Sequence, residues 1–233
     1  MTTLTVGDLS FEVRHSSRRQ TIGITVERGG QLVIACRSEV SSERLEKVIQ
    51  DKRLWIYEKL LQKEALNPTP PITKEFVSGE GFYYLGRSYR LKLVRDIKQN
   101  KPLSFHQGCF LLQETAQADG REHFIHWYRT RLQILLEQMM LPLVHRVGAE
   151  PRSIQVRDLG YRWGSCGQKG DISIHWRVAM LPKQMIEYVL VHELVHLLEH
   201  QHSPDFWDRL ERILPDFDER RNWLAEKGIS YSV

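Results

Sequence analysis

The sequence predicts an α+β fold, with a β-rich N-terminal half and a second half in which helices dominate and a few short strands remain. Three patterns predict it. Apolar and polar residues alternate with period two through the first forty positions, helical spacing takes over from 119 to 147, and short β-branched runs precede a strongly apolar helix around residue 190. At 233 residues and 41% hydrophobic content, the chain can bury a substantial core as one domain or two small ones.

The segments LTVGDLSFEVRH and QTIGITVERGGQLVIACR read as strands, and Gly29-Gly30 sits where two of them reverse as a hairpin. From Ser41 the period becomes helical. Ser42 can cap a helix that carries Leu45, Val48, Ile49, Trp55, Ile56, Leu60 and Leu61 on one face until the NPTPP cluster ends it. EFVSGEGFYYLGRSYRLKLV and LSFHQGCFLLQ, aromatic, β-branched and punctuated by glycine, are further strands. The composition shifts near 116, which sets the expected division: a β-rich subdomain with one long helix over 1–115 and a second subdomain over 116–233.

Residues 119–147 then direct Phe124, Tyr128, Leu132, Leu135, Leu136 and Met139 inward, and Pro142 is expected to kink or end that helix. SIQVRDL reads as a short strand, GYRWGSCGQKG as a loop and DISIHWRVAM as a strand, before Pro182 opens the next helix.

A net charge of +4, with 22 arginines to 11 lysines, admits anionic partners without demanding them. The start of the chain lacks a basic stretch followed by an apolar core, and no apolar run approaches the roughly 18 to 20 residues that cross a bilayer, so the protein reads as soluble and cytoplasmic, with no membrane partner. Cys36, Cys109 and Cys166 are odd in number and show no CxxC spacing, which argues against a disulfide framework and against a cysteine zinc ribbon.

The chemistry concentrates in VLVHELVHLLEHQHSPDFW, residues 189–207. His192 and His196 stand four apart on one helix face, where two imidazoles can converge on one metal ion. Glu193 projects about 100° round the helix from His192, placed to hold a metal-bound water as general base. A catalytic zinc keeps three protein ligands and one open position, so a third ligand is required. His202, ten residues after His192, is the best candidate, because the elongated HExxHxxGxxH form uses that offset; Glu199 occupies the glycine position here. His200, Glu211 and Glu219 are the alternatives, His200 sitting on a helix not yet turned back, with the break expected at Ser203-Pro204. Chance explains the motif poorly, since a shuffled chain of this composition shows HExxH about 3% of the time and the added histidine lowers that to about 0.1%. The expected cofactor is one Zn2+ per chain, and the expected partner a peptide or protein substrate whose amide is cut by water.

These residues resemble the YgjP-like metallopeptidases, relatives of the SprT-like zinc proteases, whose pattern joins an RWGSC loop, an HEL(V/A)H helix and a later NHS-like triplet before an aromatic residue. Here these are Arg162 to Cys166, His192 to His196, and Gln201-His202-Ser203 before Phe206-Trp207. Segments of the N-terminal half, including SSRRQTIGITVERGGQLVIACR and GEGFYYLGRSYRLKL, are similar to the family's as well. The resemblance implies a zincin-like catalytic core, zinc ligands at His192, His196 and His202, and the acid/base at Glu193. It leaves substrate open. The strand from Asp171 to Val178 is expected to be the sheet edge on which an extended peptide is laid, with Arg162 or Ser165 donating to the developing oxyanion. Trp163 and Cys166 read instead as core residues, with Cys166 as a further zinc ligand the lesser alternative.

Two other functions compete with a peptidase: a zinc hydrolase of nucleotides or another non-peptide substrate, and a DNA-associated binding module with a restrained zinc site. Nucleic acid as a partner has weak support, resting on the arginine excess and on RHSSRR, residues 14–19. His123 and His126, beside Trp127 on the long helix, could hydrogen-bond a ligand, although half-buried histidines more often do nothing chemical.

Overall fold

The computed structural model describes residues 2–17, 19–27, 31–53, 55–57, 59–60, 74–95, 101–160 and 162–233. The chain forms two compact units, residues 1–70 and 71–233.

In the first unit, β1 (Thr2–Val6), β2 (Leu9–His15), β3 (Gly23–Val26) and β4 (Leu32–Cys36) form a sheet of order β1-β2-β4-β3. β1 and β2 are a hairpin, β2 and β4 run parallel, and β3 and β4 are antiparallel. Gly29 and Gly30, between that last pair, lie outside the described residues. Alternation along β2 buries Leu9 and Phe11, which pack with Ile34 and with Leu45 and Ile49 of α1 (Ser42–Asp51). The helix is capped one residue earlier than expected, at Ser41, without a side-chain cap bond. Helical geometry returns at 53 and 55–57, where Ile56 is buried but Trp55 faces solvent; Leu61 and the NPTPP cluster lie outside the described residues. Arg14 of the RHSSRR segment is ion-paired with Glu12 and Glu27 at 2.7 and 2.8 Å.

In the second unit, β5 (Gly81–Tyr84), β6 (Arg87–Val94), β7 (Leu103–His106) and β8 (Cys109–Gln113) make a sheet of order β5-β6-β8-β7. It packs on the long helix α2 (Gly120–Val147) through aromatic rings. Phe82 stacks on Phe124 with centroids 4.0 Å apart, Phe110 meets Phe124 and Trp127, and the Tyr128 hydroxyl donates to the Tyr83 carbonyl at 2.6 Å. Composition groups this sheet with the N-terminal strands. The shared core groups it with α2 instead, so the chain divides after residue 70 rather than after 115.

Of the α2 residues expected inward, Phe124, Tyr128, Leu132 and Leu136 are buried, and Leu135 and Met139 are half-buried. Pro142 does not end the helix. Its ring is exposed, while Leu143 and Val147 on the last turn are buried and hold that turn to the core; Gly148 in the left-handed region then closes it, its N–H on Val144 O at 2.8 Å.

A small sheet of order β10-β11-β9 follows, built from β9 (Ser153–Arg157), β10 (Gly164–Cys166) and β11 (Asp171–His175), with β10 antiparallel and β9 parallel to β11. Two expectations change here. The GYRWGSCGQKG segment is no simple loop, since Gly164–Cys166 is a strand, and β11 is the central strand, which leaves β10 at the edge. β11 also stops at His175: a 3-10 turn, Trp176–Met180, begins there with His175 Nδ1 accepting from Arg177 N at 3.0 Å. The turn between β5 and β6 anchors that region, because Leu85 N and Gly86 N donate to Ala179 O and Met180 O at 3.0 and 2.8 Å. Three helices complete the unit: α3 (Lys183–Val195), α4 (Pro204–Ile213) and α5 (Phe217–Lys227). Glu187 of α3 ties them to α2, meeting Arg146 at 2.6 Å and Arg220 of α5 at 2.8 Å. Among the described residues no helix is long and apolar enough to cross a membrane.

Candidate metal centre

α3 is a core helix, with Val189, Leu190, Val191, Leu194 and Val195 all buried. Its hydrogen-bond ladder stops at Val195, and His196 is the C-cap. The chain tightens through Leu197 N to Leu194 O and Leu198 N to Val195 O, both 3.0 Å, and so turns earlier than Ser203-Pro204 suggests. Ser203 instead begins α4: its Oγ accepts from Phe206 N at 3.3 Å, and Pro204 fills the first helical position. This short turn carries His202 back over α3.

The ligand atoms offered by His192, His196 and His202 lie within 4.8 Å of one another, and Nε2 of His192 is 3.0 Å from Nε2 of His202. His200, Glu211 and Glu219 are exposed and outside this cluster. His200 is excluded by the early turn, which leaves it in a bend beyond α3 rather than on the helix. Cys166 is also outside it.

Neighbours orient each ring. His196 Nδ1 lies 3.0 Å from Glu199 O; a carbonyl can only accept, so Nδ1 carries the hydrogen and Nε2 keeps its lone pair. Phe206, fully buried, packs on all three imidazoles with centroids 5.0, 4.6 and 4.8 Å away, and Trp207 stacks on His202 at 5.3 Å. Arg209 of α4 meets Glu199 at 3.0 Å and pins the turn. Burial, helped by the two neighbouring rings, pushes the His192 imidazole down to about 3; burial and His196 also lower His202. Both are thereby kept neutral, the form that ligates a metal. His192 Nδ1 is buried without a hydrogen-bond partner among the described residues, which costs about 1 to 3 kcal/mol. Separately, His192 Nε2 faces His202 Nε2 at 3.0 Å, and a cation between the rings would take the lone pairs of both, so the donor set fits a metal.

Glu193 is only 6% exposed. Burial pushes it up to about 8, against a smaller opposing pull from the Arg162 guanidinium. It faces β10. A Cβ on Gly164 would lie 2.5 Å from Glu193 Oε1 and 2.6 Å from its Cγ, so only glycine leaves room for this carboxyl. Cys166, two residues along β10 from Gly164, lies on the same face by strand alternation, and its thiol is pushed up by burial first and then by the Glu193 charge. Strand alternation sends the intervening Ser165 to the opposite face, away from Glu193, which does not favour the oxyanion role considered for it. Arg162, exposed, precedes the strand. Asp158 braces this region, accepting from Gly160 N at 2.9 Å and Trp176 Nε1 at 3.2 Å, with His175 Nε2 at 3.4 Å.

The family model of the YgjP-like metallopeptidase domain matches residues 20–227. The chain belongs to this family. Membership in the YgjP-like family implies a metal, and the histidine cluster is where the donors for one converge. Among solved structures, the chain is similar to the crystal structure of the metallopeptidase zymogen of Pyrococcus abyssi abylysin, at 24% identity and a TM-score of 0.35, covering 37% of this chain and 89% of that one. No curated protein matches.

Sequence reasoning had no access to the Gly164–Glu193 contact, the aromatic packing of Phe206 or the Asp158 brace. Each joins elements far apart in the chain. The only local signal was the Ser-Pro-x-Phe-Trp order, a capped helix start with two aromatics on its first turn.

Proposed function

We propose that this YgjP-like protein is a zinc-dependent peptidase, one Zn2+ per chain held by His192, His196 and His202, hydrolysing peptide bonds with Glu193 as general base and then general acid. The observation that carries the reading is the meeting of three inward imidazoles, two of them kept neutral by burial, beside a carboxyl held out of water. Zinc, when bound, supplies a water of pKa about 7 and polarises the scissile carbonyl.

The remaining work falls to the chain. Burial favours the protonated form of Glu193, so the carboxylate takes a proton readily and keeps it until the departing amine needs it. Gly164 leaves the space in which that carboxyl stands. Trp163 O accepts from His175 N and Gly167 N donates to Asp171 O, so residues 163, 165 and 167 direct their backbone groups toward β11. The N–H and C=O of Gly164 and Cys166 then face the open edge, where an extended substrate can pair as an added strand beside Glu193. Arg162 is the residue proposed to offset charge developing on the substrate oxygen. Support for a peptide over a nucleotide comes from that edge of β10, whose backbone groups can pair with a polypeptide and have no counterpart on a nucleotide.

The test compares wild type with Glu193→Gln on a proteome-derived peptide library, with metal content measured on both. The variant should hold the same metal and lose turnover by about 10²- to 10⁴-fold. Undiminished cleavage by a fully loaded variant would remove Glu193 from the chemistry.

A further inference from the structure

A second groove lies away from the histidine cluster. It has a volume of about 810 Å³, within the range of ligand clefts, and runs between β7 and the N-terminal half of α2. β7 is an edge strand of its sheet. Its pairing shows which of its backbone groups are free. Gln113 N donates to Pro102 O at 2.9 Å, and Ser104 and His106 are paired opposite Leu111 and Cys109, so Pro102 directs its C=O, and Ser104 and His106 their N–H and C=O, toward β8. Leu103 and Phe105 therefore point theirs to the outer side, along the groove. Both alternate rows of β7 side chains line it, since Ser104 and His106 contribute from one face and Leu103 and Phe105 from the other.

Charge selects the occupant. Lys101, His106, His123, His126 and Arg131 line the groove, and among the described residues no carboxylate does. The Trp127 ring supplies an apolar wall, with the Arg131 guanidinium 5.6 Å from its centroid. We propose that this groove binds an extended acidic polypeptide segment, which pairs with the free edge of β7 and sets its carboxylates against the basic lining. A strand edge offering two N–H and two C=O groups fits a polypeptide backbone. A small anion would use the charges and leave the edge idle. At about 3.3 Å per residue, the four residues of β7 pair with a segment of roughly four. The inference does not rest on the peptidase reading.

The probe is a fluorescein-labelled seven-residue peptide of alternating glutamate and valine, titrated into the full chain carrying Glu193→Gln, so that cleavage cannot consume it, and into wild type. The matching lysine–valine peptide is the control. The acidic peptide should bind and the basic one should not, and Lys101→Glu with Arg131→Glu should weaken acidic-peptide binding by at least about tenfold. Amide hydrogen exchange at Leu103 and Phe105 should slow in the complex. Equal binding of both peptides overturns the proposal, as does binding that leaves those two amides unprotected. Displacement of the probe by inorganic phosphate at equal concentration would make this a small-anion site instead. Binding here by a chain that cleaves no peptide would leave this proposal standing and overturn only the peptidase reading.

Discussion

Gly164→Ala separates a structural RWGSC strand from one that shapes the catalytic carboxyl. The added methyl group would sit 2.5 Å from Glu193 Oε1, 2.6 Å from Cγ and 2.8 Å from Cδ. Non-bonded carbon contacts settle near 3.5 to 4.0 Å, so the carboxyl must retreat by about 1 Å. Gly164 is not among the residues of positive φ, so the backbone itself accepts alanine and the whole effect passes through Glu193. A 1 Å misplacement of a reacting group costs about 100-fold in rate, or roughly 2.7 kcal/mol, and overpacking adds about 1 to 3 kcal/mol of lost stability. The assay is kcat/KM on a cleaved peptide, read beside metal stoichiometry and thermal unfolding. We expect metal to be retained and kcat/KM to fall about 100-fold. Ser165→Ala, one residue along on the opposite face, should stay near wild type. Wild-type kcat/KM in Gly164→Ala would show that β10 does not shape the Glu193 carboxyl, and so would a fall fully explained by lost metal.

Glu193 also gives a pH signature in chelated, metal-free protein. Its folded pKa, about 8, lies above the ordinary 4.5, so its favourable contribution to stability is complete below pH 4.5 and is lost as pH rises through 8. Glu193→Gln should match wild type near pH 4 and exceed it near pH 9 by up to about 5 kcal/mol in chemical denaturation; a pH-independent gap would contradict this. Glu187 behaves in the opposite sense. Arg220 and Arg146 together hold its carboxyl below the usual range despite burial, so its contribution is present above pH 4.5 and lost as pH falls through the lowered folded pKa. Glu187→Gln should cost about 1 to 2 kcal/mol at pH 7, with the difference closing in acid, and an equal cost at pH 3 would assign the loss to packing rather than charge.

The order of strands and helices could be read from periodicity, since Leu9 and Phe11 or Phe124 and Tyr128 carry the strand and helix spacing in their own neighbourhoods. The three histidines share a sequence window of eleven residues, so their convergence could be read as well. Harder to see were features that depend on which element lies beside which. β8 and α2 exchange Phe110 for Phe124 and Trp127 across the expected boundary, which no local composition reveals. β10 is three residues long and exists as a strand only because β11 lies against it. Pro142 signals a helix end by its ring, but Leu143 and Val147 are buried and the helix continues.

A single zinc ion held by three imidazoles has a distinctive X-ray absorption spectrum, which can be recorded on the purified, metal-quantified chain. The spectrum should show one zinc per chain, three histidine nitrogens near 2.0 to 2.1 Å and no sulfur, with the histidine count reduced and affinity lost in His202→Ala. A chain without bound transition metal, or a sulfur scatterer near 2.3 Å that vanishes in Cys166→Ser, would contradict this ligand set.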